Sequence, residues 1–152
     1  DIGFAGKKII NRDIKSLSLY KEKIVLAINQ NNPLSEKKNI SISDIKDEKF
    51  ILFPKSKGSV GLYDKIIEFC KKANFEPNVI QEAYEIEVIL GLVSGGMGIA
   101  LIPENSGKLY LNNVIFKNFK EQPPTSEIYL LIRNNEEDSI VKNFFNLNKQ
   151  IK

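Results

Sequence analysis

The chain has 152 residues, 42% of them hydrophobic, and 22 basic side chains against 19 acidic ones for a net charge of +3. This is enough to bury one real core, and the charge is too balanced to imply nucleic-acid binding by bulk electrostatics. There is no histidine and one cysteine, Cys70, which excludes Ser-His-Asp and Cys-His catalysis, any His-ligated metal and any intrachain disulfide.

No catalytic residue, metal ligand or cofactor is expected from such a composition. No window reaches the roughly 18 apolar residues of a membrane span, and the start DIGFAGKK has no signal-peptide core. A soluble cytoplasmic protein is the expectation. The abrupt start at Asp1, with Ile2-Gly3-Phe4 reading as the end of a buried strand, suggests a fragment.

In chain order, the polar stretch Lys7 to Lys15 gives way to two predicted strands, Leu17 to Tyr20 and Lys23 to Asn29. Gln30-Asn31-Asn32-Pro33 is a turn signal. Ser41 to Ile45 reads as a short capped helix with Ser43 at its N-cap. From Phe50 the order becomes regular: a buried strand Phe50 to Phe53, a loop from Pro54 to Gly58, and a helix from Gly61 to Ala73. Leu62, Ile66, Phe69 and Cys70 form that helix's apolar face, with Lys65, Glu68 and Lys72 away from it. Cys70 thus reads as a small core residue.

Phe75-Glu76-Pro77 closes the helix, and Asn78 to Gln81 forms a short strand. Next come an amphipathic helix from Glu82 to Ser94 and a strand from Ile99 to Ile102, joined by Gly95, Gly96 and Gly98. The result is a β-α-β-α-β unit with parallel strands. Glu104 to Lys108 reads as one helical turn, Val114 to Phe116 as a strand and Gln122-Pro123-Pro124 as a rigid connection. Ile128 to Ile132 is an apolar strand and Ser139 to Gln150 a terminal helix, with Glu136-Glu137-Asp138 favouring its N-terminus.

In an open parallel sheet, ligands settle beyond the carboxyl ends of the strands. That edge carries the segments 54–60 and 83–86, and Pro103. The run Phe53-Pro54-Lys55-Ser56-Lys57-Gly58-Ser59 offers hydroxyls, ammonium groups and amide donors at a helix start, chemistry suited to a carboxylate or phosphate. The competing reading is that Ser56 or Ser59 caps the helix while both lysines are solvated. The spacing is not that of a P-loop, and Gly95 to Gly98 is not a dinucleotide fingerprint because it follows a helix. Glu85 and Glu87, two apart on a helix, do not make an acid/base pair, although Glu85 is placed to line the cleft.

Taken in order, Asp1-Ile2-Gly3-Phe4, Lys21 to Ala27, Asn32-Pro33-Leu34, Phe50 to Pro54 and Leu92-Val93-Ser94-Gly95-Gly96-Met97-Gly98-Ile99-Ala100-Leu101-Ile102-Pro103 resemble the effector-binding domain of LysR-type transcriptional regulators. The resemblance covers almost the whole chain and matches the C-terminal two-thirds or so of that domain. It implies an α/β fold like type-2 periplasmic binding proteins, with two α/β subdomains, a cleft between them and the first subdomain incomplete.

Residues 1–22 and 120–152 would then belong to subdomain one and the return crossing, 23–29 to a crossing strand, and 30–119 to the effector-binding half. The implied effector contacts are Phe53, Pro54, Lys55, Ser56 and Ser59, then Tyr84, Glu85 and Ile86, with Met97, Gly98 and Ile99 nearby. The opposing wall and a DNA-binding winged helix-turn-helix would lie outside these residues.

The function so implied is sensing of a small anionic metabolite, such as a carboxylate, to control transcription. Homo-oligomers form in the full-length protein, DNA is bound only through the helix-turn-helix, and there is no membrane partner. A transport solute-binding protein shares the fold and is the alternative. An enzyme on the same fold is a third reading that lacks a paired nucleophile or acid/base residue.

Overall fold

The computed structural model describes residues 1–55, 61–108 and 112–150. In chain order these form β1 (Ile2–Ala5), β2 (Ile14–Asn29), β3 (Lys49–Leu52), α1 (Leu62–Lys72), β4 (Asn78–Glu82), α2 (Ile86–Ser94), β5 (Ala100–Pro103), β6 (Val114–Lys117), β7 (Thr125–Arg133) and α3 (Ser139–Gln150). Short 3-10 turns cover Pro33–Glu36, Ile42–Ile45 and Glu104–Lys108. No described helix is long and apolar enough to cross a membrane. The chain divides into two compact units, Lys23–Thr125, and Asp1–Glu22 with Ser126–Lys152.

The larger unit is built on a mixed sheet. β3 and β4 pair in parallel, and β3 meets the start of β5 through a parallel bridge between Phe50 and Ile99. There the Ile51 N–H donates to the Ile99 carbonyl at 2.8 Å, and the Ile99 N–H to the Lys49 carbonyl at 2.8 Å. β5 then runs antiparallel to β2, from Ala27↔Ala100 to Ile24↔Pro103, and β6 pairs antiparallel with β2 as well. The expected β-α-β-α-β order is therefore present, with β3 between β4 and β5.

Side-chain alternation along these strands makes two apolar layers. Ile24, Leu26 and Ile28 join Phe50, Leu52 and Leu101 under Ile66, Phe69 and Cys70 of α1. Val25 and Ala27 join Ile51, Ala100 and Ile102 under Ile89, Leu90 and Val93 of α2. The strands read as unbroken apolar runs because a helix covers each face. Burying each Val, Leu, Ile or Phe side chain among them is worth about 1.5–3 kcal/mol.

The helix ends follow from local chemistry. Gly61 is the N-cap of α1, and its N–H donates to the Asp64 carboxylate at 2.9 Å. Ser56 and Ser59, the caps the sequence suggested, lie outside the described residues. At the other end Asn74 takes a left-handed φ of 62°, a conformation asparagine tolerates better than most residues, and it turns the chain towards β4. The turn at Ile42–Ile45 is capped by Ser41 rather than Ser43, because the Asp44 carboxylate accepts the Ser41 N–H at 2.9 Å.

The smaller unit holds β1, β7, the first part of β2, and α3. β1 and β7 are antiparallel, with Phe4 opposite Leu130. The two strands expected from Leu17 to Tyr20 and from Lys23 to Asn29 are one sixteen-residue strand. Nor is β1 a buried strand: Phe4 is 63% exposed, since β1 lies at the edge of its sheet. The Asp138 carboxylate accepts the Ile140 N–H at 2.8 Å and caps α3, the role expected for the acidic cluster.

Candidate functional site

Two crossovers leave β3 and β4 in opposite senses, so α1 and α2 lie on opposite faces of the sheet. The carboxyl ends of β3 and β4, which pair in parallel, therefore flank a point where the connections diverge, and such a point leaves a crevice between two helix starts. Phe53 and Pro54 follow β3 there and are half-buried, and Lys55 beyond them is exposed. Phe53 and Ile86 pack against the α2 layer, which gives the crevice an apolar floor.

From the neighbouring strand the chain continues through Ala83, whose N–H donates to the Leu52 carbonyl at 3.0 Å. Tyr84 is 81% exposed, and Glu85 is the N-cap of α2 with extended backbone and no capping side chain. Among the described residues no side chain caps the first amides of α2, and such amides favour an acceptor oxygen. Acidic Glu85 and Glu87 stand on the same helix start, so the positive charge for an anion has to come from elsewhere.

The structure brings together Phe53, Pro54, Lys55, Tyr84, Glu85 and Ile86 at one edge of the larger unit. Ser56 and Ser59 lie outside the described residues. Met97, Gly98 and Ile99 are not at that edge. Helix α2 has nine residues, which at about 1.5 Å each carry the chain roughly 13 Å, so its end and the start of β5 stand at the opposite, amino edge. There Met97 and Gly98 line a polar hollow with Asn29, Asn32, Glu48 and Lys49. The Asn29 side-chain amide donates to the Ser94 carbonyl at 2.6 Å and closes the end of α2.

Sequence reasoning also missed Lys65. Helical spacing turns it away from the core, yet its ammonium donates to the carbonyl of Thr125 at 2.8 Å and the residue is half-buried. Thr125 follows Pro124, whose carbonyl accepts the Ile24 N–H at 3.0 Å, and Ile24 stands opposite Pro103. The chain thus enters and leaves the larger unit at the carboxyl edge. At that edge Lys23 pairs with Glu104 at 3.2 Å. The Lys65 contact joins segments 60 positions apart, which no local pattern reveals.

Among the described residues no group of three or more His, Cys, Asp or Glu side chains is arranged to hold a metal ion. The single thiol, Cys70, is buried, and burial pushes its pKa up to about 12. It is therefore no nucleophile.

Comparison with known proteins gives a consistent answer. The family model described as "LysR substrate binding domain" matches residues 1–150. The HTH-type transcriptional regulator AlsR of Bacillus subtilis is 32% identical over 81% of this chain and 40% of its own length. The HTH-type transcriptional regulator BenM of Acinetobacter baylyi is 29% identical over 99% of this chain and 50% of its own. The chain therefore spans about half the length of the curated relatives it matches.

The solved BenM effector binding domain with its effector benzoate superposes with a TM-score of 0.80 at 29% identity, covering 99% of this chain and 68% of that one. The effector binding domain of QuiR in complex with shikimate gives 0.82 at 26% identity, over 99% and 71%. The α/β fold is that of these effector-binding domains.

Proposed function

We propose, from the premise that this chain belongs to the LysR substrate binding domain family, that it is the ligand-sensing part of a bacterial transcriptional regulator. The observation that carries this reading is its match, over 99% of its length, to effector-binding domains solved with benzoate and with shikimate. Both of those ligands are small carboxylates. AlsR and BenM are transcriptional regulators, which leaves the transporter reading without support. They also give no support to an enzyme.

In this reading the effector is a small anion held at the carboxyl edge by Phe53, Pro54, Lys55, Ser56, Ser59, Tyr84, Glu85 and Ile86. The apolar floor takes the body of the ligand, and amides and ammonium groups take its charge. No bond is made or broken. The effector acts through its different affinity for two conformations, a coupling of about 1–3 kcal/mol in typical cases. The regulator works in the cytoplasm as a homo-oligomer, and DNA is bound by a helix-turn-helix outside these 152 residues.

A thermal-shift screen of small carboxylates, aromatic acids and amino acids tests the reading, because selective binding to the folded state raises the melting temperature. The expected result is a stabilising carboxylate whose effect is weakened by Ser56→Ala or Lys55→Ala. A stabilising ligand indifferent to both substitutions would move the site away from this edge.

A further inference from the structure

We propose that Lys65 is the cation that selects an anionic effector, a role that rests on the ligand-sensing reading above. The start of α2 brings Glu85 and Glu87 to the carboxyl edge, and their charge opposes an anion. Of the cations that the described residues bring there, Lys23 is paired with Glu104 and Lys55 is exposed to solvent. Lys65 is half-buried, and its ammonium meets a neutral acceptor, the Thr125 carbonyl at 2.8 Å.

An ammonium has three donors, and the Thr125 carbonyl takes one. That bond fixes the direction of the side chain and lowers the entropy cost of using the remaining donors. A carboxylate is a stronger acceptor than a carbonyl, so a ligand carboxylate entering the crevice would be held by an ammonium already aimed and partly shielded from water. Lys65 lies on the first turn and a half of α1, which follows the 54–60 segment, so charge recognition comes from the α1 side and the apolar floor from the α2 side.

The same bond gives recognition a mechanical consequence. Thr125 opens β7 and adjoins Pro124, which is bonded to Ile24 at the start of the outgoing crossing. Phe69, one turn further along α1, packs edge-to-face on Phe119 with ring centroids 5.4 Å apart. Helix α1 thus touches the return segment at two places, and a ligand that draws on Lys65 acts directly on the chain leaving the unit.

The test compares acids with their uncharged counterparts: benzoate with benzamide, and shikimate with its methyl ester, titrated into the whole chain. In the unsubstituted protein an acid should bind about tenfold or more tighter than its neutral counterpart. Lys65→Met should erase that preference while leaving the affinity for the neutral compound in place, and Lys65→Arg should retain it. If Lys65→Met does not fold, Lys65→Gln, which keeps a donor for Thr125, makes the same comparison.

A preference unchanged in the substituted proteins, or an equal loss for acid and neutral compound, would overturn the proposal and leave the ligand-sensing reading intact. Failure of the unsubstituted chain to bind any of the four compounds, with no carboxylate hit in the thermal-shift screen, would overturn both.

Discussion

Gly98 stands so close to Lys49 that a methyl group on its Cα would lie 2.5 Å from the Lys49 carbonyl oxygen and 3.2 Å from the carbonyl carbon. The Lys49 carbonyl is also the acceptor for the Ile99 N–H, so the obstacle is backbone locked into the β3–β5 bridge. Only glycine lets these two strands meet.

Gly98→Ala is therefore expected to destabilise the larger unit by about 1–3 kcal/mol or more, the ordinary cost of overpacking where backbone has to move. Gly91→Ala is the control. It lies inside α2, and an added methyl meets nothing within 4 Å, so helix propensity predicts a gain of roughly 0.5–1 kcal/mol. Chemical denaturation of both variants checks the pair, and a Gly98→Ala as stable as the parent would refute the tight approach.

Phe50 is fully buried and packs against Phe75 with ring centroids 6.3 Å apart. Phe50→Ala should cost about 3–5 kcal/mol by creating a cavity in the α1 layer. Urea unfolding monitored by circular dichroism measures it, and a loss under about 1 kcal/mol would mean that the site collapses to fill the gap.

Strong acid should loosen the turn at Ile42–Ile45. The Lys37 ammonium and the Ser41 N–H hold the Asp44 carboxyl below its ordinary 3.8. For Glu121 burial works upward, but the Ser41 hydroxyl and the Ile42 N–H outweigh it and hold the carboxyl below 4.5. A carboxylate whose pKa is lower in the folded state contributes stability that is fully present above its unfolded value and is lost as pH falls through the folded one. The contribution should thus be complete above about pH 5 and decline below pH 4. Melting temperatures against pH for the parent, Asp44→Asn and Glu121→Gln test this, with a flatter acid limb expected in both variants.

Cys70 should resist alkylation in the folded protein at pH 8. It is buried in the α1 layer, and its pKa of about 12 leaves almost no thiolate. Iodoacetamide labelling followed by mass spectrometry should show modification only in denaturant. Rapid labelling of the native chain would show that α1 opens locally.

Much of this was legible in the sequence. Phe50-Ile51-Leu52 and Ala100-Leu101-Ile102 are continuous apolar runs because both sheet faces are covered, and the order of strands and helices could be read from them. The polar pair Lys21-Glu22 made β2 look like two strands. It sits where the chain passes between units, with Lys21 exposed and Glu22 half-buried, so no apolar burial pattern marks continuity. The Lys65 bond to Thr125 depends on tertiary packing, and a local periodicity reading necessarily points that side chain to water.

The candidate site was half legible for a related reason. Phe53 and Pro54 end a strand and Tyr84 to Ile86 begin a helix, positions that topology assigns to one edge. Met97, Gly98 and Ile99 lie close to Ile86 along the chain, but an intervening helix takes them to the other edge. Distance in sequence and distance in space diverge there by the length of α2.

The most direct test of the account is residue-by-residue mapping of amide chemical shifts as the isotopically labelled chain is titrated with benzoate and shikimate. Perturbations confined to Phe53, Lys55, Tyr84, Glu85, Ile86 and Lys65 are the predicted result. Perturbations centred instead on Asn29, Lys49, Gly96, Met97 and Gly98 would place recognition at the amino edge and contradict it.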